Sequence, residues 1–592
     1  MKKKINFMDT SFRDGFQSCY GARVLTQDFL SAIKPSIEAG ITHFESGGGA
    51  RFQSLFFYCN ESAFDMMDAF RKESGNDANL QTLARGINVV ALKQQPKDII
   101  DLHAKLFKKH GVTTVRNFDA LNDIRNLEYS GERIKAHGLR HEITITLMDL
   151  PPGCDGAHTV EFYIDNLKKI VNSSIPYDSI CFKDASGTAH PRKIYELVKQ
   201  ARKIISDDTV LWFHTHETAG TSVAQNIAAI EAGINGIDLA KRPCSGGTCQ
   251  VDILTMWHAL KGTEYTLDVD YEKILKAEDV FVECMKDYFL PPEAVQTSPL
   301  IPLSPMPGGA LTANTMMMRD ANVLHLYPEV IREMSDVVRK GGYGTSVTPV
   351  SQFYFQQAYS NVTQGKWQKI TEGYGNMVLG YFGRPPSEPD PEIVKIASEQ
   401  LGKPVFKGDP LEVEEPGIPK STKILESNGL EVNDENIFTI ASCESKGLDF
   451  LLGKSKVNIR KISDTKEKVV ATPSNKPIII NSEPRNYEVT VDGKAYDVLV
   501  KPSKKGEIDN ISAVPKLATG DQMKEICAPV PSLVLKVLVK PSDKFNAGDT
   551  LLVLEAMKME TEIKAPDSGE VTEITVENGM NVQTSQTLLL YK

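Results

Sequence analysis

Over roughly the first 250 residues, short apolar runs alternate with stretches in which apolar residues recur every three or four positions. Eight runs stand out: "INFMDTSF", "THFESGG", "LQTLARG", "TTVRNFDA", "EITITLMD", "SICFKDASG", "VLWFHTHE" and "GIDLAK". They begin about every 30 residues, the repeat of a strand followed by a crossover helix. Eight such units close a parallel barrel. Each run starts apolar and ends polar, in groups such as "RDGFQ", "ESGG", "ARG", "FDALN", "KD" and "HTHE". Chemistry thus collects at the carboxyl ends of the strands, the face on which barrels of this kind carry their active sites. The pattern predicts an α/β chain whose residues 1–300 form a (β/α)8 TIM barrel.

Beyond the barrel the pattern changes twice. Residues 301–452 read as helices, "PEVIREMSDVVRKGG", "SQFYFQQAYSNVTQGK" and "DPEIVKIASEQLG", separated by Pro and Gly, and are expected to extend the barrel. Residues 453–522 are polar linker around one hairpin, in which Tyr487, Val489 and Val491 face Tyr496, Val498 and Val500 across Asp492-Gly493. That hairpin is a candidate association region.

Residues 523–592 contain an internal repeat. A shift of 37 positions lays Ala528-Pro529 on Ala565-Pro566, Val534 on Val571, Val539 on Val576 and Thr550-Leu551 on Thr587-Leu588. Two half-sheets, each too small to bury its own face, are expected to pack into a small all-β sandwich. The unmatched segment, "LVLEAMKMETEIK", has Lys558 at its centre. A lysine at a hairpin tip is ordinarily a solvated turn residue, but methionines on both sides have no folding rationale there and suggest a surface read by another protein.

Composition narrows the partners. A chain of 592 residues exceeds one core. The net charge is −10, and no basic block follows the initial "MKKK", which excludes a nucleic-acid surface. Charge resumes at Asp9, leaving no signal-peptide core and no membrane-length apolar run, so the chain is expected in the cytoplasm. Nine cysteines without a C-x-x-C pair fit reduced thiols, and the spacing in "CSGGTC" is not that of a zinc site.

Within the barrel, His214 and His216 stand two apart on one strand and so share a face, where both can chelate one ion. Asp14, read as ending the first strand, adds an oxygen that suits Mn²⁺, Zn²⁺ or Co²⁺ beside two imidazoles. Lys183, ending the sixth strand next to the histidine strand, is electrostatically odd near a cation unless it is modified or catalytic. "PGGALTAN" lacks the context of a phosphate loop.

These segments carry a resemblance. "EAMKMET" is similar to the attachment motif of biotinyl carrier domains, although "APVPS" stands where such domains have "APMPG". "DTSFRDGFQS", "LARGINVV", "VRNFDALN", "CFKDASG", "FHTHETAG", "CSGGTCQ", "PGGALTAN" and "SVTPVSQ" resemble, in order, the carboxyltransferase domain of pyruvate carboxylase, oxaloacetate decarboxylase α subunits and transcarboxylase. The resemblance implies biotin on Lys558 and a divalent metal held by Asp14, His214, His216 and a carbamylated Lys183. A carbamate turns the odd cation into an anionic ligand. Gln17 and Arg85 would hold a keto acid with Arg13 and Asp119 beside it, and Thr348 would relay a proton between substrate and biotin nitrogen. Taken alone, Arg85 also reads as a barrel-mouth salt bridge and Thr348 as a helix N-cap before Pro349.

The implied activity is carboxyl transfer between carboxybiotin and pyruvate, giving oxaloacetate. With the barrel starting near residue 5 there is no ATP-using domain ahead of it, so the expected partners are a separate ATP-dependent biotin carboxylase subunit, a biotin protein ligase and further copies in a homo-oligomer. The alternative is the α subunit of an oxaloacetate decarboxylase with a membrane subunit. Departures from the family pattern, Gly47, Arg51, Gln53, Ala185 and Glu217, suggest a wider pocket with an added cation, suited to a larger acid such as 2-oxoglutarate. Aldol-type metal lyases and acyl-CoA-condensing synthases share "RDG-x-Q" and H-x-H, but Lys183 and the biotinyl segment argue against them.

Overall fold

The computed structural model describes residues 2–463, 523–529, 532–556, 559–582 and 586–592, with 485–491, 494–500, 556 and 559–561 described by backbone alone. All eight apolar runs form strands of one closed parallel barrel: Asn6–Asp9, His43–Gly48, Asn79–Ala84, Thr114–Phe118, Arg140–Thr146, Ser179–Asp184, Val210–Thr215 and Gly236–Leu239. Closure is between the first and eighth strands, with Asn6 beside Gly236. Parallel neighbours require crossovers, and helices supply them. In Pro191–Ala201 the His190 ring accepts the Lys193 N–H and proline occupies the first turn, while Ile194, Leu197, Val198 and Ala201 form the buried stripe.

The region after the barrel divides, where the sequence suggested one extension. Residues 301–401 build a second core in which Val330, Val347, Val350 and Phe353 pack with Leu83, Phe118, Met148 and Ala185 from the carboxyl ends of strands three to six. This core roofs the barrel mouth. Helices Gly417–Ser427 and Asp434–Leu451 return to the barrel flank, because Leu425, Ile437 and Phe438 find apolar partners there beside Phe52 and Phe107.

The strands Arg485–Val491 and Lys494–Val500 pair antiparallel, Tyr487 opposite Val498 and Val489 opposite Tyr496. Asp492 and Gly493, on which the turn reading rests, lie outside the described residues, as do 464–484 and 501–522.

At the carboxyl end, two four-stranded antiparallel sheets follow the repeat. One runs Lys524–Cys527, Thr587–Tyr591, Gly569–Ile574, Lys544–Phe545; the other runs Met559–Lys564, Thr550–Ala556, Ser532–Val537, Asn581–Val582. A 37-residue shift exchanges each strand of one sheet for its counterpart in the other. Each sheet therefore borrows from both halves, and Val534, Leu552, Leu554, Val571, Leu588 and Leu589 form the shared core. In the central hairpin Ala556 pairs with Met559. Met557 and Lys558 between them lie outside the described residues, as do Val530 and Pro531 of "APVPS". No helix among the described residues is long and apolar enough to cross a membrane.

Candidate active site

The first strand stops at Asp9, whose carboxylate is taken by the backbone and side chain of Ser11 and by Lys241. Asp14 therefore does not end the strand. It lies in a π-helical turn, Ser11–Gly15, in which Thr10 O accepts the N–H of Gly15 at 3.0 Å, and the wide turn carries Asp14 into the barrel. In the sixth and seventh strands Lys183 and His214 are register partners.

These elements converge. His216 Nε2 lies 3.1 Å and His214 Nε2 3.5 Å from Asp14 Oδ2, and Lys183 Nζ is 2.7 Å from His214 Nε2. One ligand atom from each of Asp14, His214 and His216 falls within 4.8 Å of the others, all three residues being buried. The opposite ring nitrogens are engaged: His214 Nδ1 lies 2.6 Å from Asp238 Oδ2, and His216 Nδ1 donates to Thr248 O at 2.7 Å. Those bonds direct both Nε2 lone pairs toward Asp14, the arrangement a metal-binding histidine needs. The donor set fits a divalent cation of borderline softness.

Two arginines inside the barrel are paired with acids. Arg116 bonds Glu142 and Asp238, and Arg13 bonds Glu45 and lies 3.3 Å from both Asp14 Oδ1 and Gln17 Oε1. Burial alone would raise the Asp14 carboxyl, but Arg13 and His216 hold it well below the usual carboxylate range. Burial pushes the Lys183 amine down, toward the neutral form that can add CO₂. Asp238→Asn is expected to leave the fold intact and weaken metal binding about 10- to 100-fold, because His214 loses its anionic partner; metal titration followed by calorimetry reads this.

Arg85 is buried and carries no acidic partner among the described residues. One of its terminal nitrogens donates to the carbonyls of Val90 and Ala91 at 2.8 and 3.1 Å, and its Nε has no partner. The salt-bridge reading of Arg85 thus fails. Burial and nearby Arg13 push its guanidinium down to about 9, as expected of a cation lacking its anion.

Gln17 approaches from the first turn: a Cβ built on Gly49 would stand 3.5 Å from Arg85 Nη2 and 3.7 Å from Gln17 Oε1. The Gly308-Gly309 pair opening helix Gly308–Asp320 makes room for the site. A Cβ on Gly308 would stand 1.6 Å from the Thr248 oxygen, and one on Gly309 2.9 Å from Gln17 Nε2. The segment carrying Thr348 is fixed over the mouth by Thr345 Oγ1 at 2.9 Å from Thr146 Oγ1 and by Ser346 N–H on Met148 Sδ. Thr348 is not a helix cap, since Pro349 holds that position before Val350. Asp119 accepts from Leu121 N, Asp123 N and Asn126 Nδ2, so its carboxylate serves its own loop.

Four of the departures fall away from the pocket, while Ala185 packs in the roof core at the barrel mouth. Arg51 is fully buried, donates to the carbonyls of Ala22 and Val24 and stacks on Phe16 and Phe29. Gln53 donates to Ser442 O, a Cβ on Gly47 points at Met66 and Met67, and Glu217 accepts the N–H groups opening helix Ser222–Ala232. The added cation serves packing, which corrects that part of the expectation. Asp238, Thr248 and Gln250 were missed; Gln250 Nε2 lies 3.0 Å from both Asp14 Oδ2 and His216 Nε2. The aspartate inside "GIDL" was the available signal, a charge within a barrel strand.

Comparison with known proteins agrees with this geometry. Family models described as "Conserved carboxylase domain", "HMGL-like" and "Biotin-requiring enzyme" match residues 301–500, 144–281 and 524–590. The chain is 31% identical to a pyruvate carboxylase subunit of Methanocaldococcus jannaschii, covering 94% of each. It is 26% identical to the 2-oxoglutarate carboxylase large subunit of Hydrogenobacter thermophilus, over 95% of this chain and 91% of that one. Its fold matches the carboxyltransferase domain of Rhizobium etli pyruvate carboxylase, solved with pyruvate and biocytin, at a TM-score of 0.69 and 21% identity, covering 84% of this chain and 88% of the other.

Proposed function

Because the chain belongs to the family of biotin-dependent carboxyltransferase subunits of pyruvate carboxylase, we propose that it transfers a carboxyl group between biotin on Lys558 and pyruvate, giving oxaloacetate, at the centre formed by Asp14, Lys183, His214 and His216. The observation carrying this reading is Arg85, a buried guanidinium near that centre without an acidic partner among the described residues. A 2-oxo acid brings the missing carboxylate.

A divalent cation, when bound, would supply Lewis-acid stabilisation of the oxygen that gains charge as the substrate methyl is deprotonated. Asp14 Oδ2 and the two Nε2 atoms would hold it, with Lys183 as a carbamate completing the set. Arg85 would grip the substrate carboxylate in the forked geometry a guanidinium favours, and Gln17 would orient the keto group beside it. Arg13 fixes Asp14 and Gln17 through its own bonds. Thr348, whose hydroxyl has no partner among the described residues, would carry the methyl proton away as carbon takes up the carboxyl group. The roof built by residues 301–401 would limit water at the mouth. We place the divisions of the chain at 300, 452 and 522.

Arg85→Lys keeps a cation but loses the fork. KM for pyruvate is expected to rise about 100-fold with a smaller change in kcat, as steady-state kinetics would read. We also propose a separate biotin carboxylase chain as partner, in line with relatives that are each named as one subunit of a pyruvate carboxylase. Adding such a chain with ATP and bicarbonate should yield oxaloacetate from pyruvate; dependence on a membrane fraction instead would point to the decarboxylase alternative.

A further inference from the structure

The carrier sandwich meets the barrel module through a residue of its own attachment motif. Glu555 lies three positions before Lys558 on strand Thr550–Ala556. Leu552 and Leu554 point into the sandwich and are fully buried, so Glu555, one step on, points outward. Its side chain is nevertheless only 14% exposed, and the cover comes from the barrel module. Tyr58 Oη donates to Glu555 Oε1 at 3.3 Å, and Lys446 Nζ lies 3.3 Å from Oε2.

Tyr58 is itself held in place, with the Arg23 guanidinium 3.9 Å above its ring and its carbonyl bonded to the Asn458 N–H at 2.7 Å. A second contact, Gln364 Nε2 to Pro529 O, ties the start of the sandwich to the roof helix Val350–Gln364.

A further observation gives Glu555 a purpose outside its own sheet. The wall facing the carrier presents Arg23, Lys446, Lys454 and Lys456 to the cleft between the modules, along with Asp320 and Asp449, while Arg460 and Lys461 are paired with Asp320 and Asp28. Glu555 also borders a small cavity of about 50 Å³ together with Ala91, Leu92, Gln95, Ser442 and Lys446. Ala91 belongs to the loop whose carbonyls hold Arg85.

We infer that Tyr58 and Lys446 form a docking clasp for Glu555, which seats the carrier with its strand Thr550–Ala556 beside the Arg85 loop. The clasp reads the attachment motif by charge. It is made of side chains at a polar edge rather than an apolar seal, which suits a carrier that must leave for another station. Tyr58 and Lys446 are positioning residues, since neither belongs to the Asp14, Lys183, His214, His216 centre.

The inference rests on the reading of Lys558 as the biotin-bearing residue, and its test separates the two. In the fully biotinylated chain, Lys446→Glu and Tyr58→Phe should lower exchange of labelled pyruvate into oxaloacetate, the former about tenfold. Free-biotin-stimulated decarboxylation of oxaloacetate, measured in a Lys558→Ala background, should not change. Lys446→Glu combined with Glu555→Lys should recover the exchange, with biotin occupancy checked by mass spectrometry. Unchanged exchange in both single variants, a parallel fall in the free-biotin reaction, or no recovery in the double variant at full occupancy would each overturn the clasp. Absence of both reactions in the parent chain would instead overturn the carboxyltransferase reading.

Discussion

Lys558→Ala removes streptavidin binding and lowers pyruvate–oxaloacetate exchange by more than about 10³-fold, the advantage of a tethered group over one supplied at micromolar concentration. The expectation follows from the sandwich. A 37-residue shift superposes the two sheets strand for strand, and the hairpin joining the two halves is the one that carries the attachment motif. Strands Thr550–Ala556 and Met559–Lys564 pair up to Ala556 and Met559, leaving two residues to connect them. Lys558→Arg keeps the charge and lacks a primary amine to acylate, so it should fail equally. Either variant should keep the free-biotin reaction, because neither touches the barrel. Exchange at the parent rate in Lys558→Ala would place the carrier lysine elsewhere.

The second large effect is at Lys183. Replacement by Ala should lower kcat about 10²- to 10³-fold, the size of effect seen when one preorganised charge is taken from a buried site. Bound metal, read by elemental analysis of the purified chain, should fall with it. The argument is electrostatic. Lys183 is buried 2.7 Å from His214 Nε2, with Arg13 and Arg116 nearby pushing its amine further down after burial and against the pull of Asp14. A charged ammonium there would repel a cation, whereas a carbamate would bind it. A short carboxylic acid added to Lys183→Ala should restore part of the activity by occupying the carbamate's place. Full activity without rescue would remove Lys183 from the ligand set.

Period and polarity along the chain carried the barrel. Apolar runs spaced for strand and crossover helix, each ending in polar residues, matched all eight strands. His214 and His216 were readable because a strand's two-residue period puts them on one face. Asp14 was readable as a donor but not by its position, since the strand ends earlier and the π-helical turn depends on Lys241 and Ser11 taking Asp9. Asp238, Thr248 and Gln250 were out of reach for a related reason: they meet the histidines from the eighth strand and the loop after it, and no local spacing announces that meeting. Arg51 misled because a guanidinium one turn past the second strand reads as pocket lining. Only the folded chain shows the carbonyls of Ala22 and Val24 turned to receive it. Where each helix of the 301–452 region docks was not legible either, as its last two helices look like the others until Phe438 is seen against Phe107.

The most direct measurement uses the biotinylated chain alone, with metal but without ATP, bicarbonate or any partner. Labelled pyruvate mixed with unlabelled oxaloacetate should pass its label into oxaloacetate, since carboxyl transfer in both directions needs only the barrel centre and the carrier. Avidin should stop the exchange, and labelled 2-oxoglutarate should not replace pyruvate. No exchange from a fully biotinylated, metal-loaded chain, or exchange that avidin leaves untouched, would contradict the account.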